Sequence, residues 1–339
     1  MNMQLPLATT RRPRSDAPQQ SFLEGAEVPW HLTTRQFVRV CSLAALFLFT
    51  LTSAFAQAPA SLGIFVGPPV PVEGKPYTIR SRGATTSPPV TVENITVVRS
   101  GDFVDVTFFI NHDSDFSSPA VYEGTVAGPD LPAGTYTFRQ FLRQRFFGRG
   151  AYSDPPVLQY SKTVVVTSAA NAGEAVEYYN TDLHHYFMTA SPTEVAVLDA
   201  GIFPGWVRTG EVFRGLYLSN PSVDAAVTPV APVCRYYGLP SAGLNTHFFS
   251  GFASECAVIP QLWPDSWILE TPQAFYVSLP SVTDGVCPDA TIPLYRLFNG
   301  MPDVNHRYTT SLEIRQQMID QHWIPEGYGP VGVGMCVNG

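Results

Sequence analysis

Three stretches of the chain set a histidine two residues before an aromatic side chain: His185-Tyr-Phe, His247-Phe-Phe and His306-Arg-Tyr. Three imidazoles brought to one point are the ligand set of some hydrolytic zinc sites, with water in the fourth position. Such a site also needs acids that orient its ligands, and no Asp or Glu recurs beside these histidines. His185, His247 and His306 are therefore read as a repeated signature, each imidazole hydrogen-bonding a neighbouring strand or turn, and no metal or cofactor is expected. The mature cysteines are Cys234, Cys256, Cys287 and Cys336. No Cys-x-x-Cys pair suggests zinc, and an even number in an oxidising compartment reads as two disulfides with three possible pairings. Cys234 with Cys256, inside one repeat, and Cys287 with Cys336, clasping the last, is the favoured set.

Each histidine is flanked by aromatics, Tyr178, Tyr236 and Tyr295 upstream and Trp206, Trp267 and Trp323 downstream. Aromatic faces with a few polar groups suit sugar rings, although many of these rings must form core, because large aromatics dominate packing in small β modules. Arg208, Glu270 and Glu326, two to three residues after each tryptophan, are the expected exposed polar contacts. Catalytic motifs are lacking: there is no Gly-x-Ser-x-Gly, no His-Glu-x-x-His, no glycine-rich phosphate loop and no recognisable glycosidase pairing of carboxylates. A non-catalytic binding protein is expected, with a metal-dependent hydrolase built on the three histidines as the weaker alternative.

The elements that must position these residues recur in one order. An aromatic strand (Glu177-Tyr-Tyr-Asn, Arg235-Tyr-Tyr-Gly, Tyr295-Arg-Leu-Phe-Asn) precedes each histidine segment. A short helix follows, at Ser191-Pro-Thr-Glu, Ala253-Ser-Glu-Cys and Ser311-Leu-Glu-Ile, and then a tryptophan strand. Ser191 with Pro192 and Glu194 has the spacing of a capping box. Repeats of about 60 residues that each leave an apolar face bare bury it by closing on one another. The prediction is a mainly β, pseudo-threefold module over 174–339, trefoil-like or propeller-like, with one short helix per repeat and repeats at about 174–228, 232–280 and 291–337.

Glu177-Tyr-Tyr-Asn, His185-Tyr-Phe-Met-Thr-Ala and Trp206-Val-Arg-Thr-Gly, with their counterparts Pro232-Val-Cys-Arg-Tyr-Tyr-Gly, His247-Phe-Phe-Ser, Asn305-His-Arg-Tyr-Thr-Thr-Ser and Trp323-Ile-Pro-Glu-Gly, resemble a secreted bacterial triple-repeat domain of unknown function. The resemblance spans nearly all of 174–339. It implies a module at the C-terminal end of exported proteins, often behind sandwich domains or hydrolases, with a role in cell-envelope or carbohydrate binding. Gly251-Phe252 departs from the small residues usual there, which bears on where the second helix starts.

Upstream, β-rich runs at roughly ten-residue spacing between Leu62 and Thr167 predict an antiparallel sandwich over 57–170. Leu131-Pro-Ala-Gly-Thr-Tyr-Thr resembles the turn-into-strand motif of bacterial immunoglobulin-like domains. Asp113-Ser-Asp115 reads as a polar turn rather than a calcium loop, since no glutamate stands at loop spacing. The arginines of Arg139-Gln-Phe-Leu-Arg143-Gln-Arg145-Phe-Phe-Gly-Arg149 read as cover for a strand whose phenylalanines face the core. Small residues over 171–176 read as a linker.

The chain of 339 residues has 14% charged side chains, 31 prolines and 26 glycines, a balance that favours strands and turns. Arg35-Gln-Phe-Val-Arg39, the apolar run Val40–Leu51 and Ala54-Phe-Ala56 have the order of a secretory signal, with cleavage expected after Ala56 and no membrane span after it. Residues 1–34 are long for such a signal and fit a start site placed too far upstream. Cleavage leaves 15 of the 20 basic and 25 of the 28 acidic residues, a net charge of about −10, which argues against a nucleic-acid partner. The expected protein is secreted or periplasmic. Its expected partner is a glycan or cell-envelope polymer, with a structural or protein-adhesion role at the envelope as the alternative.

Overall fold

The computed structural model describes residues 61–86, 89–113, 118–221 and 230–339. The expected signal segment, Ser114 and Asp115 lie outside them. Residues Ala60–Gly339 form one compact unit, and the described part is mainly β with three short α-helices.

Seven strands make the N-terminal half: β1 (Gly63–Gly67), β2 (Thr78–Thr85), β3 (Val90–Ser100), β4 (Phe103–His112), β5 (Ala120–Ala127), β6 (Gly134–Phe146) and β7 (Val157–Val166). They form sheets of order β1-β2-β5 and β3-β4-β6-β7. Alternation decides which side chains enter: Val104, Val106, Phe108 and Ile110 on β4, and Tyr136, Phe138 and Leu142 on β6, are buried at period two. Gln140 is buried among them because it accepts from Ser81 Oγ at 2.6 Å and donates to Tyr122 at 3.2 Å. Tyr136 in the turn-into-strand motif donates back to Pro132 O at 3.0 Å.

Two expectations for this half are corrected. The sandwich is not purely antiparallel, because β4 and β6 pair in parallel. Between them β5 crosses to the other sheet, so the chain returns beside β4 running the same way. The arginines of β6 are also not edge cover. They lie on the outer face, where Arg139 pairs bidentately with Asp105 and packs 4.0 Å over Phe103, and Arg145 pairs with Glu93.

The C-terminal half contains three stretches of the same local order. The first is β8 (Ala172–Asn180), β9 (His185–Thr189), α1 (Pro192–Asp199) and β10 (Trp206–Tyr217). After a short β11 (Val230–Pro232), the second is β12 (Cys234–Gly238), β13 (Thr246–Ser250), α2 (Ala253–Leu262), β14 (Trp267–Thr271) and β15 (Tyr276–Ser278). The third is β16 (Thr291–Phe298), β17 (His306–Thr309), α3 (Leu312–Asp320), β18 (Ile324–Glu326) and β19 (Val333–Asn338). In each, the aromatic strand lies between the histidine strand and the tryptophan strand, all antiparallel. A nine-stranded sheet links the first and third stretches through β19, β15 and β10, while β13-β12-β14 stands as its own sheet. Gly215, with φ 78°, sits at a β10 bulge where a Cβ would lie 2.5 Å from Asn338, so the strand passes β19 only with glycine there.

Helix starts follow their local chemistry. Ser191 and Ser311 accept from Glu194 N and Ile314 N. The reciprocal half of the capping box at Ser191 does not form: Ser191 N donates to Thr189 Oγ1, and the Glu194 carboxylate is taken by Arg235. In α2 the departure Gly251-Phe252 leaves no side-chain cap at Phe252, and Ser250 serves instead, accepting from Phe252 N and donating to Glu255 at 2.6 Å. The disulfides are Cys234–Cys256, which ties α2 to β12, and Cys287–Cys336.

The expected linker at 171–176 is corrected. Residues from Ala172 belong to β8, and the buried Asn171 accepts from Ser219 N at 2.7 Å and donates to Ser219 O at 3.1 Å. The halves meet through Val70, Val72, Tyr217 and Tyr276, with Tyr217 donating to Val70 O at 2.6 Å and Arg80 pairing with Asp289 at 2.8 Å.

Candidate functional site

Strand register shows which residues of the three stretches correspond. Opposite Tyr179, Tyr237 and Phe298 stand Tyr186, His247 and His306. His185 is one place earlier, opposite Asn180. The three histidines are thus not equivalent, because His185-Tyr-Phe aligns with the others only when its pairing is ignored. His185 lies within hydrogen-bond distance of Asn245 O at 2.9 Å and Asp303 O at 3.0 Å. His247 and His306 approach Glu270 and Glu326 at 3.3 and 3.2 Å, closer than the 3.6 Å between His185 and the Asp303 carboxylate. The two glutamates come from the tryptophan strand, some twenty residues away in sequence. Among the described residues no group of three or more His, Cys, Asp and Glu is arranged to hold a metal ion.

The same register aligns Glu177, Arg235 and Arg296 on the aromatic strands. Arg235 reaches Glu194 on α1 at 2.8 and 2.9 Å and Glu270 on β14 at 2.8 Å. Arg296 repeats this with Glu255 on α2 at 2.7 and 3.0 Å and Glu326 on β18 at 3.1 Å. The Nε contacts to Glu270 and Glu326 are close ion pairs off the hydrogen-bond direction. Each guanidinium also lies over the phenylalanine of the preceding stretch, Arg235 over Phe187 at 5.7 Å and Arg296 over Phe248 at 5.0 Å. From the third stretch back to the first the charges are reversed: Arg307, at the phenylalanine place, pairs at 3.0 and 3.1 Å with Glu177, at the arginine place.

These junctions differ in the room beside them. The junction of Arg307 and Glu177 is filled, and the Glu177 side chain is 2% exposed. A cavity of about 220 Å³ lies by Arg235, and a groove of about 530 Å³ by Arg296. The groove is walled on one side by Glu255, Val258 and Ile259, which share one face of α2. Trp263 beyond the helix and Trp267 on β14 extend that wall, and Arg296, Phe298, His306 and Glu326 face it. Burial pushes the Glu255 and Glu326 carboxyls up, but hydrogen bonds and charge from Arg296 and His306 outweigh it, so both lie below the ordinary 4.5. Burial holds His306 below 6.5 despite its contact with Glu326.

Several expected contact residues are placed away from solvent. Tyr178, Tyr236 and Tyr295 are buried. Tyr178 donates to Asp199 at 2.9 Å and Tyr236 to Cys256 O at 2.6 Å, so these two hydroxyls are used inside the fold. Trp206 packs edge-on to Phe187 and Trp323 to Tyr186. Arg208 is exposed, as expected, and is held bidentately by Asp199 at 2.6 and 2.7 Å. Of the expected contacts, Trp267 and Glu326 line the groove, and Glu270 serves the Arg235 junction. Sequence reasoning missed Arg235, Arg296, Glu194, Glu255, Phe248, Phe298 and Trp263. A signal existed for four of these: an arginine recurs in the second and third aromatic strands, and a glutamate stands three places after the helix cap in the first two helices.

Residues 174–333 match a family described as a domain of unknown function, DUF5648. No curated protein matches the chain, and no solved structure does.

Proposed function

We propose that this is an exported, non-catalytic binding protein whose C-terminal module recognises a glycan or cell-envelope polymer in the groove beside Arg296. The carrying observation is the groove's composition: about 530 Å³, with Trp263 and Trp267 on one wall and Glu255, Arg296 and Glu326 beside them. That size lies in the range of small-molecule sites, and flat rings next to fixed polar groups suit a pyranose. Neither carboxyl has the raised pKa of a general acid, which favours binding over hydrolysis.

In this reading the three stretches surround a pseudo-threefold axis. The contacts Phe187–His247, Phe248–His306 and Arg307 over Tyr186, at 4.5, 5.0 and 4.1 Å, run in one cyclic sense and support it. The N-terminal half acts as an immunoglobulin-like spacer, and export to the periplasm or exterior follows from the basic-apolar-small order at 35–56 and agrees with the two disulfides. A protein-adhesion role is the second reading, favoured by Ile268 and Leu269, both about half exposed on the edge strand β14.

The test is a glycan array followed by calorimetry on the full exported chain. Trp263→Ala is the informative variant, because that ring is half exposed and its loss leaves the core intact. Stacking on an aromatic side chain contributes about 1–3 kcal/mol per ring where bases stack, so affinity is expected to fall about fivefold or more with unchanged thermal stability. Retention of no glycan by the wild-type protein overturns the reading and leaves adhesion through β14.

A further inference from the structure

We infer that the groove beside Arg296 selects a glycan bearing a protonated amine, an unacetylated hexosamine, over neutral or anionic sugars. The inference rests on the glycan reading above and names the ligand class for that site. Its charged lining residues are Glu255, Glu326 and Arg296, with His306 as the further titratable group. Two carboxylates against one guanidinium leave the lining net negative.

The hydrogen bonding shows which negative atom is available. Both Glu255 oxygens are used, Oε1 by Arg296 and Oε2 by Arg296 and Ser250. In Glu326 only Oε2 is used, by Arg296 at 3.1 Å and His306 at 3.2 Å. Oε1 has no partner among the described residues, on a side chain 31% exposed. A ligand ammonium brings three donors and a compact charge to such an oxygen. A phosphate or uronate would instead face both carboxylates, with the one guanidinium already bound to each of them.

The aromatic surfaces set the shape of the ligand. Arg296 covers Phe248, and Phe298 is stacked on His306 with centroids 5.3 Å apart. Phe248 is buried and Phe298 is half-buried with one face on His306, so no cage of several open faces surrounds a quaternary ammonium. Trp263, half exposed, and the half-buried Trp267 remain as the available surfaces. A sugar ring laid on tryptophan with an amine at its edge satisfies both features. The Arg296 side chain, 7% exposed, holds Glu326 through Oε2.

The test uses the full exported chain and three oligosaccharides of equal length, glucosamine, N-acetylglucosamine and a uronic acid, by calorimetry at low salt and at about 0.5 M salt. A charge-assisted hydrogen bond is worth about 1.5–3 kcal/mol, so the glucosamine oligomer is expected to bind about tenfold or more tightly than its acetylated form. That advantage is expected to shrink in salt and to vanish in Glu326→Gln. The acetylation and salt comparisons on the wild-type protein need no variant to fold. Equal affinity for the amine and acetyl forms, or preference for the uronic acid, overturns the amine inference and leaves glycan binding standing. Failure to bind any of the three overturns both.

Discussion

His306 shows how a residue chosen for its chemistry is governed by its surroundings. It lies between Phe248 and Phe298, and burial disfavours its charged form more than Glu326 supports it. With a folded pKa below 6.5, the unfolded chain binds the proton first, so stability from this group is lost as pH falls below 6.5. Glu194, Glu255, Glu270 and Glu326 act in the same direction lower down. Their folded pKa values are below 4.5, so their contribution is present above 4.5 and lost as pH falls through the folded values. Buried Glu177 is held above 4.5 by desolvation and opposes them. The melting temperature is therefore expected to drop from pH 7 towards 5 and more steeply below 4.5. His306→Gln should flatten the upper part only, and calorimetry across this pH range checks it.

At the scale of elements, α2 is the wall on which the groove depends, and its start lacks a side-chain cap at Phe252. The Cys234–Cys256 bond, closing 22 residues, secures it to β12. Loop-closure entropy for that span corresponds to about 3 kcal/mol. Cys256→Ala, paired with Cys234→Ala to leave no free thiol, is expected to lower unfolding free energy by about that amount in a denaturant titration, with glycan affinity falling as α2 loosens. Removal of Cys287 and Cys336, away from the groove lining, should destabilise without that change in affinity.

At the scale of the molecule, the Glu177–Arg307 junction holds the first and third stretches together with reversed charges. Breaking a buried pair costs about 3–5 kcal/mol, so Glu177→Arg alone is expected to be strongly destabilising, since it faces Arg307. Ile314 stands three places after its helix cap, as Glu194 and Glu255 do, and Thr209 three places after its tryptophan, as Glu270 and Glu326 do, so adding Arg307→Phe, Ile314→Glu and Thr209→Glu converts the junction to the pattern of the other two and should recover most of the loss. Thermal denaturation of the single and fourfold variants decides it, and no recovery would mean that the three junctions are not interchangeable.

The sequence by itself determined the mainly β character, most strands of the sandwich, the order strand-strand-helix-strand, the helix caps at Ser191 and Ser311, and the favoured disulfide pairing. These depend on alternation, turn residues and cysteine spacing, all of which are local. Tertiary structure alone decided which side chains meet. His185 shares its tripeptide pattern with His247 and His306, yet strand pairing puts it one residue out, and a shift of one place turns a side chain to the other face. The glutamates beside His247 and His306 stand 23 and 20 residues along the chain, so a search for acids next to the histidines passes them by. Tyr178, Tyr236 and Tyr295 look like ligand contacts in a list of aromatics, and they are core because each unit needs large rings to fill it. The groove exists at one junction and is filled at another, a difference in packing between neighbouring stretches that no repeat pattern carries.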